Sequence, residues 1–269
     1  MRSRRLKSII FLATACTLSV LGAHSFAFTA PYHGLSWFRQ SPCRAWTTGF
    51  DSIAQLAFEA SHISAEGERE RGYKANFTWR RSNGGLDDSD RDLLVKTYRV
   101  VESVFEFGLG ESTRLAAAAN VIRYTGVDSD AAYVSLSRDA GPSHYKFVFA
   151  DIGQTREWGH PKEILRKQSM QYQIAPLLGE MKPFDVYFID GRFRVACVCS
   201  ALLHASKFGR RDSTIFMHDY GARPSYHVVE EFTDIIETSR SGKLVKLRRS
   251  RNASDELIVS IWSSYYNIS

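Results

Sequence analysis

The stretch from Val104 to Tyr133 constrains the fold of this chain more than any other segment. An apolar strand leads into a turn with Gly108 and Gly110, an alanine-rich helix follows, and a second apolar strand ends at Asp128, 20 residues after Gly108. Glycines allow a backbone to approach a ligand closely, and a helix N-terminus presents free N–H groups. The pattern predicts a parallel βαβ unit that binds a nucleoside-bearing cofactor.

The residues of the glycine turn distinguish between classes of nucleotide-binding fold. A dinucleotide-binding fingerprint places a third glycine where this chain has Thr113, and it gives no special role to the acid Glu106. The segment Glu106–Thr113 resembles instead the first motif of class I S-adenosylmethionine-dependent methyltransferases. The resemblance covers roughly residues 86–262 and implies that S-adenosylmethionine is the cofactor.

The same resemblance implies where the cofactor would be held. The glycine loop would contact its methionine end, Asp128 would accept the two ribose hydroxyls, and Asp151 lies where the family contacts adenine. For Asp151 there is an equal alternative, the cap of a turn with Gly153. The cofactor contacts expected on this basis are Glu106, Gly108, Gly110, Ser112, Asp128 and Asp151.

Apolar runs alternate with helical patterns along residues 86–269. Strands are predicted at residues 104–107, 122–127, 145–152, 184–189, 213–217, 244–247 and 257–262, and a helix at 226–236 precedes the last two. Alternating strands and helices imply parallel pairing with helices on both faces. The last two strands are joined by a connection of hairpin length, so one of them runs antiparallel. The prediction is an α/β, Rossmann-like three-layer sandwich with a mostly parallel seven-stranded sheet and one antiparallel edge strand.

Acidic residues follow the fourth and fifth predicted strands. Ligands of open α/β sheets bind beyond the carboxyl ends of the strands, where Asp190 and Asp219 should be neighbours. Two carboxylates there could share a divalent cation such as Mg²⁺, which prefers oxygen ligands, so both are predicted metal ligands. The catechol O-methyltransferase-like branch places metal-binding acids at these strand ends and follows them with Asn, whereas this chain has Tyr220.

Methyl transfer to a hydroxyl requires a base that takes the acceptor proton. His218, whose pKa is ordinarily near neutrality, and Asp190 are the predicted catalytic residues. A structural hydrogen bond is the alternative for His218. Three arginines are expected at the rim of the same end of the sheet, either solvated or paired with a carboxylate such as that of a uronic acid: Arg192, Arg194 and Arg223.

The segments at 188–192 and 217–220 also resemble methyltransferases of glycan and cell-wall polysaccharide pathways. The predicted function is therefore S-adenosylmethionine-dependent methylation of a hydroxyl or carboxyl of a sugar, a glycan or a small molecule. A non-catalytic Rossmann-like nucleoside-binding protein and an NAD-dependent oxidoreductase are the alternatives. Binding of S-adenosylmethionine, followed by a test for turnover, distinguishes the three.

The N-terminal residues resemble a targeting segment. Four basic residues precede an apolar run at 9–23, which predicts a signal peptide or membrane anchor over residues 1–27. Residues 28–85 are predicted as a transit-like or helical extension, and 86–269 as the methyltransferase domain. We expect entry into the secretory pathway. Because residues 25–31 resemble an algal plastid cleavage signal, a secondary plastid is the alternative.

The distribution of charge bears on the class of partner. The chain carries a net charge of +6, but from residue 28 onward 31 basic residues are balanced by 29 acidic ones. A nearly neutral body predicts a small-molecule or glycan substrate and no nucleic-acid partner. The oligomeric state is left open by the sequence.

Overall fold

The computed structural model describes residues 49–62 and 85–269. The predicted leader at 1–27, and the predicted extension apart from residues 49–62 and 85, lie outside the described residues. Within the described ranges, no helix has the length and apolar character needed to cross a bilayer.

Strands and helices alternate along most of the described chain. The strands are β1 (Ser103–Phe107), β2 (Arg123–Asp128), β3 (Lys146–Phe149), β4 (Val186–Ile189), β5 (Thr214–Met217), β6 (Thr233–Thr238) and β7 (Val245–Arg249). The helices are α1 (Phe50–His62), α2 (Asp88–Tyr98), α3 (Glu111–Ala118), α4 (Ala131–Ala140), α5 (Arg166–Leu178), α6 (Arg194–Lys207) and α7 (Asp255–Tyr265). Short 3₁₀ helices lie at Glu157–Gly159 and Pro224–Glu231.

The strands form one sheet in the order β3-β2-β1-β4-β5-β7-β6. The first five of these are parallel to one another. Strand β7 is antiparallel to both β5 and the edge strand β6. The predicted mostly parallel seven-stranded sheet, with antiparallel pairing at one edge, is confirmed. The strand order reverses at β1, between β2 and β4, which is the position where open α/β sheets bind their ligands.

The alternation of side chains along the strands builds a core on each face of the sheet. On one face Phe105 of β1 packs against Tyr187 of β4, whose hydroxyl lies 2.8 Å from Nδ1 of His204 in α6. On the other face Val104 and Phe188 join a buried cluster with residues of α2, α3 and α4. Helices therefore cover both faces, and the three-layer arrangement follows.

Helix α1 belongs to the same layer as α6. It contacts α5, α6 and α7. The ring of Phe50 meets the ring of His204 edge-on at 5.4 Å, and Ile53 and Ala54 are buried. The helical residues of the predicted N-terminal extension thus contribute apolar side chains to the core of the sheet domain.

Two elements predicted for the last part of the chain are wrong. The segment predicted as a helix at 226–236 is a 3₁₀ helix followed by β6, because the backbone of β6 pairs with the next strand, β7, in a hairpin. The segment predicted as a strand at 257–262 lies in α7, which begins after the N-cap Ser254. The Ser254 hydroxyl accepts the Leu257 N–H at 3.2 Å. A short apolar run suits a buried strand and a buried helix equally well, and here the cap decides.

Candidate active site

The glycine loop connects β1 to α3 at the reversal point of the sheet. Gly108 has φ +90°, and a Cβ there would lie 2.5 Å from the backbone nitrogen of Gly191. Gly108 is therefore required for the close approach of the loop to the turn after β4, and its contact with a cofactor stays a prediction. A Cβ at Gly110 would meet no atom within 4 Å. Gly110 faces open space, as a cofactor-binding position requires.

Glu106 holds this loop from below. Its buried carboxylate accepts hydrogen bonds from the hydroxyls of Ser112, Tyr124 and Thr113, the last at 3.0 Å. Burial raises the pKa of Glu106 to about 7, although these hydrogen bonds act in the opposite direction. Glu106 and Ser112 form a hydrogen bond with each other beneath the loop, so their observed role is to fix the shape of the loop. Their direct contact with a cofactor stays a prediction.

Thr113 replaces the third glycine of a dinucleotide fingerprint with a helix cap. Its hydroxyl oxygen accepts the Gly110 N–H at 3.2 Å while its own hydrogen is donated to Glu106. An unpaired N–H at the start of α3 is thereby satisfied. Thr113 and Tyr124 were not predicted as site residues, because only the tertiary structure brings their hydroxyls to Glu106.

Asp128 joins the end of β2 to the glycine loop. Its Oδ2 accepts the Leu109 N–H at 2.8 Å, and its Oδ1 accepts the Asp130 N–H at 2.8 Å. Burial raises the pKa of this carboxyl to about 6. The side chain is half-buried at the reversal point, next to the open side of the loop. The location suits the predicted ribose contact, which stays a prediction.

Asp151 follows β3 and is exposed. Its Oδ1 accepts the Gly153 N–H at 2.7 Å. The turn that the sequence offered as an alternative for Asp151 is therefore present. The adenine contact stays a prediction.

His218 lies directly after β5 and is only 1% exposed. Its Nδ1 is 3.1 Å from Oδ1 of Asp190 and 3.6 Å from Oδ1 of Asp219, and its Nε2 is 3.5 Å from Oδ2 of Asp90. Burial alone would lower the pKa of His218, but the three carboxylates outweigh it and raise the pKa to about 10. The imidazole is thus protonated at neutral pH. The predicted role of His218 as general base does not fit, because a base needs a free lone pair.

Asp90 is the member of this cluster that sequence reasoning missed. It is fully buried on α2, where its Oδ2 accepts the Asp87 N–H at 3.1 Å and its Oδ1 accepts the Ser241 hydroxyl at 3.2 Å. The pair of acids at 87 and 90 indicates a helix cap in the sequence, and that cap is observed. Its second role beside His218 depends on the packing of α2 against the end of β5.

Arg194 occupies the space between the two predicted metal ligands. Its Nη2 lies 3.0 Å from Oδ1 of Asp190, and its Nη1 lies 2.9 Å from Oδ2 of Asp219. Its guanidinium also donates to the backbone oxygens of Asp190, Gly191 and His218. Arg194 is 4% exposed, so the prediction of a solvated rim position is wrong for this residue.

The donor set fits an internal ion-pair cluster better than a divalent cation. Asp190, His218 and Asp219 do offer ligand atoms within 4.8 Å of one another. A cation between the carboxylates would have to displace the guanidinium of Arg194, and His218 would have to lose its proton. Burial opposes ionisation of Asp190, but Arg194 and His218 hold its pKa below the ordinary value. Asp190 is consequently a weak base, which argues against its predicted catalytic role.

The segment after β3 reaches across the reversal point. Nη1 of Arg192, in the turn after β4, lies 3.0 Å from Nδ1 and 2.9 Å from Nε2 of His160. In the sheet, β2 and β1 lie between β3 and β4. This contact therefore places the segment over the carboxyl ends of β2 and β1. Trp158 at its tip is 65% exposed and has φ +61°. An open pocket of about 640 Å³ is lined by residues of this segment, including Trp158 and His160.

Comparison with known structures identifies the architecture. A methyltransferase-like protein from Silicibacter pomeroyi matches with a TM-score of 0.58 and 26% identity, over 68% of this chain and 95% of that one. The fold is that of a class I methyltransferase. This similarity supports S-adenosylmethionine-dependent methyltransferase activity for the protein.

Two further solved structures match less closely. A methyltransferase from Geobacter sulfurreducens has a TM-score of 0.41 and 13% identity, over 81% of this chain and 96% of that one. The N-methyltransferase NodS from Bradyrhizobium japonicum WM9, in complex with S-adenosyl-L-homocysteine, has a TM-score of 0.41 and 12% identity, over 76% of this chain and all of that one (100%). No family model and no curated protein matches the chain.

Proposed function

We propose that this protein transfers a methyl group from S-adenosylmethionine to a hydroxyl or carboxyl of a sugar, a glycan or a small molecule. The observation that carries the proposal is the glycine loop at the reversal point of a methyltransferase sheet. Glu106 holds this loop from below and Asp128 from the side, and Gly110 leaves open space above it. Such a rigid, preformed loop is suited to binding a nucleoside-bearing ligand.

S-adenosylmethionine, when bound, supplies a methyl group on a sulfonium. The acceptor oxygen would attack the methyl carbon in line with the C–S bond, S-adenosyl-L-homocysteine would leave, and a hydroxyl acceptor would give up its proton to a base. Burial, reinforced by the charges of Arg192, Arg223 and Arg194, lowers the pKa of His160, so this imidazole is neutral. Nη1 of Arg192 lies within 3.0 Å of both ring nitrogens of His160, so His160 qualifies as the acceptor of this proton only once that contact has opened. A carboxylate acceptor would need no base.

The segment that carries His160 also supports the proposed acceptor class. The left-handed backbone of Trp158 costs of the order of 1–3 kcal/mol for a residue other than glycine, and such strain is concentrated at functional sites. Its exposed indole lines the pocket together with charged residues and offers a flat apolar face. The ring of a sugar presents C–H groups that pack on such a face, while its hydroxyls hydrogen-bond at the rim.

We propose that methyl transfer proceeds without a divalent cation, because Arg194 already neutralises Asp190 and Asp219. The test is activity in excess chelator, with and without added Mg²⁺. An unchanged rate is the expected result. A rate that disappears with chelator and returns with Mg²⁺ would contradict the assignment of Arg194.

The function itself is tested by calorimetric titration of S-adenosyl-L-homocysteine, followed by transfer of radiolabelled methyl groups to uronic acids, neutral sugars and phenols. Asp128→Ala should weaken cofactor binding by about 1–3 kcal/mol, since a charged acceptor is lost. The exposed Asp212→Ala is the matched control. Binding without transfer to any acceptor favours a nucleoside-binding protein. Binding of NAD in its place favours an oxidoreductase.

We also propose that the protein enters the secretory pathway, with an algal secondary plastid as the alternative. The support is the basic and apolar composition of residues 1–27. A fluorescent fusion to the full chain, together with N-terminal sequencing of the mature protein, tests both the destination and the cleavage.

A further inference from the structure

Arg192 is a buried cation without a carboxylate. Its side chain is 7% exposed, and its guanidinium contacts the ring of His160 through Nη1. No Asp or Glu within the described ranges forms an ion pair with it. A guanidinium has five N–H donors, so most of its hydrogen-bonding capacity is unused by the described residues.

The neighbouring arginines show that this arrangement is specific to Arg192. Arg194 lies between Asp190 and Asp219, and Nη2 of Arg223 is 3.6 Å from Oδ2 of Asp219. Both arginines therefore have an anionic partner in the protein. Burying a charge without a partner is costly, and two nearby cations add repulsion. Burial and the charges of Arg194 and Arg223 accordingly lower the pKa of Arg192.

Arg192 lies next to the proposed ligand site, so an anionic partner for it could come from a ligand. The residue lies in the turn after β4, and its partner His160 lies on the segment that crosses the ends of β2 and β1. The open pocket along this segment includes His160 and the exposed Trp158. An anion bound by Arg192 would therefore lie between the glycine loop and that pocket.

We propose that Arg192, together with His160, forms a subsite for an anionic group of a ligand, which can be a carboxylate, a phosphate or a sulfate. Planar guanidinium groups bind such anions through two parallel hydrogen bonds. The subsite deepens the proposed methyl transfer and rests on it. Two sources share this chemistry, namely an acidic acceptor and the amino-acid carboxylate of the cofactor, and the pocket beside His160 favours the acceptor.

The test uses the full chain and three variants. Arg192→Met removes the charge and keeps the apolar stem, Arg192→Lys keeps the charge, and the exposed Arg251→Met is the control. Calorimetry compares S-adenosyl-L-homocysteine with 5′-methylthioadenosine, which lacks the carboxylate. Thermal unfolding at saturating S-adenosyl-L-homocysteine compares sodium sulfate with sodium chloride at equal ionic strength.

For an acidic acceptor, Arg192→Met keeps its affinity for S-adenosyl-L-homocysteine within about twofold and loses the sulfate-specific rise in melting temperature, while Arg192→Lys retains part of it. For the cofactor carboxylate, Arg192→Met binds S-adenosyl-L-homocysteine at least about tenfold more weakly and 5′-methylthioadenosine unchanged. Either result supports the subsite. Unchanged affinity combined with an unchanged sulfate effect in Arg192→Met overturns it.

Unliganded stability provides an independent check. If the natural partner of Arg192 is a ligand, Arg192→Met without ligand should melt at the wild-type temperature or above it, because an unpaired buried cation has been removed. A melting temperature at least about 5 °C lower would show that Arg192 is a structural residue and overturn the proposal. Failure of the wild type to bind S-adenosyl-L-homocysteine would count against methyl transfer, and the sulfate comparison, then made on the unliganded protein, would still decide on the subsite.

Discussion

Gly108→Ala tests whether the glycine loop is held by the protein or shaped for the cofactor. An added Cβ would lie 2.5 Å from the nitrogen of Gly191 and 2.7 Å from the carbonyl carbon of Asp190, both backbone atoms that cannot rotate away. The left-handed φ of +90° costs about 1–2 kcal/mol for an L-residue. Overpacking against backbone costs about 1–3 kcal/mol more. We therefore expect Gly108→Ala to lower the free energy of unfolding by about 2–5 kcal/mol.

Gly110→Ala is the matched control, because its Cβ would meet no atom within 4 Å. It should change the free energy of unfolding by less than about 0.5 kcal/mol, yet weaken S-adenosyl-L-homocysteine binding at least about tenfold by filling the ligand space. Urea unfolding followed by circular dichroism gives the first quantity, and calorimetry gives the second. Wild-type stability in Gly108→Ala would refute the contact with Gly191. Wild-type affinity in a well-folded Gly110→Ala would move the cofactor away from the loop.

Three further substitutions test the buried charges. Burial raises the pKa of Glu106 from 4.5 to about 7, so the wild type should lose about 3 kcal/mol of stability as pH rises through this interval. Glu106→Gln should not show this loss. If urea unfolding gave the same pH dependence of stability for both proteins, the raised pKa of Glu106 would be contradicted. Arg194→Met removes the guanidinium that lies between Asp190 and Asp219 and should cost about 3–5 kcal/mol in urea unfolding. A stable variant with a chelator-sensitive rate would indicate a metal site. His218→Gln should lower stability, because the buried carboxylate of Asp90 loses the cation beside it, while the affinity for S-adenosyl-L-homocysteine is retained. Unchanged stability with a rate loss of about 10²–10⁴-fold would restore His218 as the base.

The proximity of Asp190 and Asp219 shows how far local sequence reasoning reaches. Each follows an apolar strand, and parallel neighbours end at the same edge of a sheet. The structure pairs Ile189 with Met217 and brings the two acids together around Arg194. What they bind could not be predicted, because a carboxylate pair attracts a guanidinium and a divalent cation alike. The guanidinium is inserted by the first turn of α6, whose orientation depends on packing.

The sequence by itself determined the βαβ unit, its glycine turn and the class of fold, because strand alternation, helix caps and glycine turns are local and repeat along the chain. Only the tertiary structure decided the charge of each site residue. His218 is protonated because Asp190 and Asp90, both distant from it in sequence, are packed beside it. Glu106 is buried beneath the loop, where its carboxylate accepts hydrogen bonds from three hydroxyls. Arg192 contacts His160 and has no carboxylate partner among the described residues. Ionisation depends on burial and on charges within a few ångströms, and both are set by contacts between residues that are distant in sequence.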